Sequence, residues 1–323
     1  MSNYKTLKGL YIKHVSSDPS NLIAGQIWYN TTTQTLKVAP IISAWAAGGA
    51  LNTGRSPGGL GIQTAALAVS GPTSSPTNGA QVESYDGSSW TEVGDVNTAR
   101  RYIGISTNGS TTAAVAAGGD TTTGSTGFTA VSEEWDGSSW TEGPDLNTAG
   151  ARSGAGTQTA GLVMTGKATA LLAKTEEYNG TSWSEVEDYP SEKILDAASC
   201  GTQTAAMVAT GYDTAVRAYT NEYDGTNWAS ATAYPSARYA LGLFGIQTSA
   251  VGAGGNASPT TLANSYDGTN WTAVGSLGTG RQLAFDAAAG ANSTAGLVFG
   301  SDTRVTTTEE YTLAITARSV DTS

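Results

Sequence analysis

The chain has 323 residues with 41 Gly, 9 Pro and only 13% charged residues, a composition that excludes helix as its main element. Hydrophobic content is low at 39%, yet 8 Trp and 14 Tyr each bury a large area, so many small sheets can still share a core and disorder is excluded. A net charge of −11 lacks the basic field that phosphate backbones require, so nucleic acid is not an expected partner.

The segment Met1 to Lys13 carries Lys5, Lys8 and Lys13 without the apolar core of a signal peptide, and no apolar run reaches about 18 residues. A soluble protein made in a cytoplasm, without membrane insertion, is expected. In residues 1–40, Ile27 and Tyr29 alternate with Trp28, and the polar run Thr31 to Thr35 turns the chain back, which predicts a small β-hairpin module. Forty residues are marginal for an independent fold, so the module should pack on a partner chain or on the domain that follows. One cysteine, Cys200, permits no internal disulfide, and one histidine, His14, leaves almost nothing for a His-based metal site or triad. No cofactor and no metal are expected.

From Trp45 onward the chain repeats. Trp45, Trp90, Trp140, Trp183, Trp228 and Trp271 recur every 43 to 50 residues, a period that points to propeller blades or similar units. Five of them close one phrase: Tyr85-Asp-Gly-Ser-Ser-Trp90, Trp135-Asp-Gly-Ser-Ser-Trp140, Tyr178-Asn-Gly-Thr-Ser-Trp183, Tyr223-Asp-Gly-Thr-Asn-Trp228 and Tyr266-Asp-Gly-Thr-Asn-Trp271. Asp-Gly and Asn-Gly supply the positive φ of tight hairpins, and the flanking aromatics can face each other across the strands. A second phrase, as in Gly201-Thr-Gln-Thr-Ala-Ala-Met207, reads as a turn entering a strand of small residues. Four short strands per period describe a propeller blade. The last unit, Arg281 to Tyr311, ends without Asp-Gly or Trp, while Trp45 precedes the first complete unit. The expected solution is a ring of six blades in which the Trp45 segment closes the last; the alternative makes Tyr311 to Thr316 the sixth outer strand and leaves Trp45 in a linker. The division is then 1–40 for the module, 41–318 for the propeller and 319–323 for a tail.

The order of glycine pair, acidic strand, aromatic, Asp/Asn-Gly turn, Trp and then Asn97-Thr-Ala-Arg100 or Pro235-Ser-Ala-Arg238 resembles kelch repeats over residues 45 to 311. That resemblance implies an all-β, six-bladed kelch-like β-propeller. The run Gly25-Gln-Ile-Trp-Tyr-Asn-Thr-Thr-Thr-Gln-Thr-Leu-Lys37 resembles a short motif near the starts of bacteriophage tail-fibre and other virion proteins. It implies a virion location, with Trp28, Tyr29 and Asn30 anchoring the chain to other virion proteins and the chain oligomeric in the particle.

Candidate sites follow from the repeat. Arg55, Arg101, Arg152, Lys193, Arg238 and Arg281 recur after the outer strands and could grip an acidic sugar, but repetition favours pairing with blade carboxylates such as Glu83, Glu133, Glu176 and Glu309. The Ser84 to Trp90 turn is similar to the Asp-box of sialidases, departing from it by one residue, and Asp-boxes lie remote from chemistry. A glycosidase needs two facing carboxylates; Asp196, Asp213 and Asp286 break the repeat and are the candidates. A copper site of the galactose oxidase kind fails because the only His lies outside the repeats, and EF-hand spacing for calcium is absent. Loops between second and third strands vary, so their edge of the disc is the expected binding surface. Phe128, Leu171, Leu172, Tyr212, Tyr219 and Leu262 are its candidate contacts to a host surface glycan or receptor. The expected function is a non-enzymatic structural and adhesive phage protein, a tail fibre or its adaptor. The alternatives are a purely architectural virion protein, such as a capsid decoration or baseplate component, and a polysaccharide-degrading glycosidase.

Overall fold

The five Asp/Asn-Gly turns set the local geometry. Their glycines Gly87, Gly137, Gly180, Gly225 and Gly268 lie at φ between 85° and 95°, in the left-handed region where only glycine is unstrained. The Asp86 carboxylate accepts the backbone N–H groups of Ser88 and Ser89 at 2.8 Å, and these bonds hold it down to about 2, with the Ser89 N–H contributing most. Each turn places its two aromatics directly opposite one another, so Tyr85 meets Trp90 at 4.9 Å between ring centres and Tyr178 meets Trp183 at 4.8 Å.

The computed structural model describes residues 12–320 except 75–76, 123, 191–193, 257–260 and 284–286. Their contacts divide into two units, residues 44–312 and residues 1–43 with 313–323. In the larger unit the strands make six antiparallel four-stranded sheets in chain order. The first is Gly58–Ile62, Ala65–Ser74, Thr77–Tyr85 and Trp90–Val93; the second is Gly104–Ile105, Ala114–Ala117, Ser132–Trp135 and Trp140–Glu142. The third is Ala151–Thr157, Ala160–Lys167, Leu171–Tyr178 and Trp183–Glu185; the fourth is Ala198–Thr202, Ala205–Tyr212, Val216–Tyr223 and Trp228–Ser230. The fifth is Leu241–Ile246, Ser249–Gly254, Ala263–Tyr266 and Trp271–Ala273. In the sixth, Ala288–Asn292, Ala295–Phe299 and Thr308–Ile315 are joined by Ile41–Ala47 from the other end of the sequence. Trp45 lies 5.1 Å from Tyr311, so the expected closure holds and the linker alternative does not.

The first strands of successive sheets touch in turn, and that of the sixth touches that of the first, so the unit is a multi-blade β-propeller. Its cores lie between neighbouring sheets. Leu60, Leu67, Val69 and Val82 of the first pack with Ile105, Ala114, Trp135 and Trp140 of the second. Backbone hydrogen bonds also cross every junction: the N–H groups of Gly71, Gly119, Gly166, Gly211, Gly255 and Ser301 donate to the carbonyls of Arg100, Gly150, Ile194, Arg238, Arg281 and Arg55. This explains the repeated glycine. At Gly166, with φ 116°, a Cβ would lie 2.0 Å from the Ala151 carbonyl oxygen. The repeated Gln of the second phrase is a further tie, with Gln203 Nε2 donating to the Tyr178 carbonyl of the preceding sheet at 2.7 Å.

In the smaller unit, Ile27–Asn30 and Thr35–Val38 form the expected hairpin. The structure adds Lys13–Val15 in parallel on one side and Arg318–Ser319 on the other, giving a four-stranded sheet in place of a bare hairpin. The edge strand joins Arg318, read from sequence as the propeller's last residue, to Ser319, read as the first of a tail, because both find the unpaired backbone of Val38 and Lys37; residues 321–323 lie outside the described residues. Trp28 is fully buried and donates its Nε1 to Asp18 at 2.9 Å, and Asn30 donates to the same carboxylate at 2.8 Å. Those bonds, Asn30 first, hold the Asp18 carboxyl below its ordinary range.

Candidate functional site

The connectors that enter each sheet carry the repeated cations. Asn52 to Arg55, Asn97 to Arg100 and Gly278 to Arg281 bring an arginine against a glutamate of the third strand. Arg55 pairs with Glu83 and Arg100 with Glu133, all at most 1% exposed, and Arg281 reaches Glu309 at 2.5 Å. The backbone N–H of Asn97 donates to Glu133 at 2.6 Å, and its side chain does so at 3.0 Å. Of the cations named from sequence, Arg55, Arg152 and Arg281 pair with the expected blade carboxylates, Arg101 pairs with Asp120 instead, and Arg238 pairs with none among the described residues. The register needs correction. Arg100, not Arg101, occupies the repeat position of the second sheet. In the third that position is Gly150, and Arg152 reaches Glu176 at 3.1 Å from two residues later. In the fourth sheet the equivalent junction bond is made by Ile194; Lys193 lies outside the described residues.

Two sheets depart from the rule. In the fourth and fifth, Asn221 and Asn264 stand where the others have Glu, and each donates to a buried tyrosine hydroxyl, Tyr189 at 2.6 Å and Tyr234 at 2.9 Å. Those tyrosines occupy the place of Val96 or Leu146, and Pro190 and Pro235 replace the asparagine whose N–H binds the carboxylate. Proline has no N–H to offer, so the carboxylate loses a donor and a neutral amide with a tyrosine replaces it.

Arg101 is free of that pattern and does something else. It pairs at 3.0 Å with Asp120, which is completely buried, and its guanidinium lies 4.5 Å over the Tyr102 ring. Asp120 also accepts the N–H groups of Thr122 and Gly127 at 3.0 Å. The loop before Phe128 is thereby pinned to the connector before the second sheet.

Beside this anchor lies a cavity of about 110 Å³ lined by Tyr102, Ser125, Phe128, Lys167, Leu195 and Asp196 among others. Every contributing element emerges on the edge that also carries the loops between second and third strands. Tyr102, Asp196 and Ala240 hold the same position, two residues after the junction carbonyl, at φ 62°, 52° and 53°. Their carbonyls accept hydrogen bonds from the next sheet: Arg152 N to Tyr102 O at 3.1 Å, Ala240 N to Asp196 O at 3.0 Å and Leu283 N to Ala240 O at 2.7 Å. Non-glycine residues in the left-handed region persist only where the surroundings enforce them, and here the ring of backbone bonds does so. Asp196 is half-buried, and its carboxyl is pushed up to about 7 by burial first and by the Asp302 carboxylate second, against the opposing pull of Lys167 and Arg101. Burial likewise raises the Tyr102 hydroxyl.

The sequence-named contacts are dispersed. Phe128 lines the cavity. Leu171 and Leu172 begin a strand and pair with Lys167 and Gly166, because the hairpin continues past the glycine bulge rather than opening into a loop. For the same reason Tyr212 ends a strand, where it meets Tyr239 edge-on at 5.8 Å. Tyr219 packs on the core between the third and fourth sheets, and Leu262 is exposed. Of the three carboxylates, Asp213 is locked to Arg217 at 2.9 Å, which holds it far below its ordinary range, and Asp286 lies outside the described residues. In the smaller unit Trp28 and Asn30 bind Asp18, leaving Tyr29 half-buried beside His14 at 5.1 Å. Among the described residues no three His, Cys, Asp or Glu side chains converge. Sequence reading missed Tyr102 and Ser125. The signal for Tyr102 was available: aligned two residues after the junction, the position runs from apolar Pro57, Ala240 and Leu283 to Tyr102, cationic Arg152 and anionic Asp196.

No family model matches the chain, and no curated protein matches it in sequence. Among solved structures, that of YjhT matches with a TM-score of 0.62 over 84% of this chain and 99% of that one, at 13% identity. The likeness shows the fold alone, a β-propeller.

Proposed function

We propose that the chain is a non-enzymatic bacteriophage structural protein, a tail fibre or tail-fibre adaptor. In this reading its kelch-like, six-bladed propeller attaches to the host surface through the variable edge, and its N-terminal module binds other virion proteins. The observation that carries the adhesive part is the cavity, lined by Phe128 and held open by Asp120 and the left-handed Tyr102 and Asp196, on the edge where the sheets differ most. Rigid presentation of variable side chains suits recognition, and many copies per particle multiply weak contacts. The virion part rests on the Gly25 to Lys37 resemblance, and of its three anchoring residues Trp28, Tyr29 and Asn30 it is Tyr29 that is not buried. Locking of Asp213 by Arg217 removes one of the carboxylates that hydrolysis would use.

Two measurements test it. Antibodies raised against the full chain should decorate the tails of particles that carry it; decoration of the head lattice points to the architectural alternative. The full-length protein should bind intact host cells, and loss of surface polysaccharide on incubation would convert the reading to an enzyme.

A further inference from the structure

The cavity is specific enough to name a ligand class, given the adhesive reading above. We infer that it receives one neutral sugar ring of a surface glycan, with Asp196 and Lys167 as its polar partners and Phe128 as its apolar wall.

The Asp196 carboxylate makes no hydrogen bond with any described residue, although it is half-buried and sits in an enforced backbone conformation. A carboxylate taken partly out of water without a partner is costly, so the site stores acceptor capacity for something absent from the chain. The charges around it narrow the choice. Asp196 and nearby Asp302 repel an anion, while Lys167 and Arg101 oppose an organic cation. A neutral polyhydroxyl compound suits both signs, because hydroxyls donate to the carboxylate and accept from the ammonium. Phe128 and Leu195 supply a surface for the aliphatic face of a sugar ring, and Ser125 adds a further hydroxyl. Size sets the limit: about 110 Å³ is somewhat less than the roughly 150 Å³ that encloses benzene. The cavity therefore takes part of one ring, seated from the open side with its other face in solvent, and no oligosaccharide. The site needs little rearrangement, since Arg101 and the two N–H bonds to Asp120 already fix the loop before Phe128.

The test is saturation-transfer NMR on the full chain with methyl glycosides of glucose, galactose, mannose and N-acetylglucosamine, each up to about 10 mM, a range in which a single weak site is detectable. At least one glycoside should receive saturation at its ring protons. Phe128→Ala and Asp196→Asn should each weaken it tenfold or more, while Ile62→Ala, an exposed residue outside the cavity, leaves it unchanged. If a cavity variant does not fold, amide shifts of Tyr102 and Leu195 in the natural chain replace it, and their failure to move with glycoside overturns the inference. No binding by any glycoside overturns it too, as does binding indifferent to both cavity variants. Cell attachment that persists in Asp196→Asn and Phe128→Ala sinks this inference and leaves the adhesive reading standing. Glycoside binding without cell attachment sinks the adhesive reading alone.

Discussion

Sheets one, two, three and six hold their entering connector with an arginine and a glutamate, whereas sheets four and five use a tyrosine and an asparagine. Three positions change together between the two solutions: Val96 or Leu146 becomes Tyr189 or Tyr234, Asn97 or Asn147 becomes Pro190 or Pro235, and Glu133 or Glu176 becomes Asn221 or Asn264. A fourth, the cation, survives in the fifth sheet as Arg238. It is 1% exposed and donates to the Gly254 carbonyl and Ser236 hydroxyl at 2.6 Å, 5.4 Å from the Tyr234 ring. A repeat therefore conserves a mechanical task, docking the connector, and not a chemistry. The same comparison shows why a ring of cations here is no ligand site: where the carboxylate is lost, the arginine stays buried and finds carbonyl and hydroxyl acceptors.

The charged solution should be the more fragile to break. Glu133→Ala leaves Arg100 buried without a counter-charge, with only the carbonyls of Gly118, Thr98 and Ala116, and should cost about 3–5 kcal/mol in urea denaturation. The double change Arg100→Met, Glu133→Leu should recover only part of that loss, because the apolar pair has no desolvation to repay but the backbone N–H groups of Asn97 and Thr98 lose their acceptor. Asn264→Ala removes a neutral hydrogen bond to Tyr234 and should cost about 1–2 kcal/mol. Equal losses for Glu133→Ala and Asn264→Ala would mean that the two solutions do not differ in kind, and the comparison would fail.

Much of this architecture is legible in the sequence because each repeated residue has a local reason. The Asp-Gly turns need a left-handed glycine, the Tyr and Trp five positions apart face each other, and the missing last turn required a strand from Trp45. What sequence hid was carried by distance and register. Nothing local tells Arg100 from its neighbour Arg101, since only the position of Glu133 across the sheet decides which is buried. Leu171 and Tyr212 read as loop residues because a glycine bulge, with its N–H committed to the next sheet, looks like the end of a strand. Tyr102 and Asp196 lie on the connectors into the second and fourth sheets, far apart in sequence, and only the fold brings them to one cavity. Variation was sought between second and third strands, while Tyr102 and Asp196 stand at a varying position on the connectors.

The smallest expected effect concerns that position in the fourth sheet. Ala240 fills it in the fifth sheet with no charge, and Asp196 fills it with a carboxyl raised to about 7 from the ordinary 3.8. A raised acid binds its proton more tightly in the folded state than in the unfolded chain. Stability is therefore full below pH 4 and falls as pH rises toward 7, after which it stays level. Asp302 deepens the loss, and Lys167 and Arg101 limit it. The whole shift would correspond to about 4 kcal/mol, but the carboxyl faces an open cavity where solvent screens it, so about 1 kcal/mol is expected. Asp196→Asn should thus match the natural chain near pH 4 and exceed it by that amount at pH 8, measured as urea midpoints across the range. A difference that does not grow with pH would show that water already satisfies the carboxylate, and that the fourth sheet stores nothing at the cavity that the fifth, with Ala240, lacks.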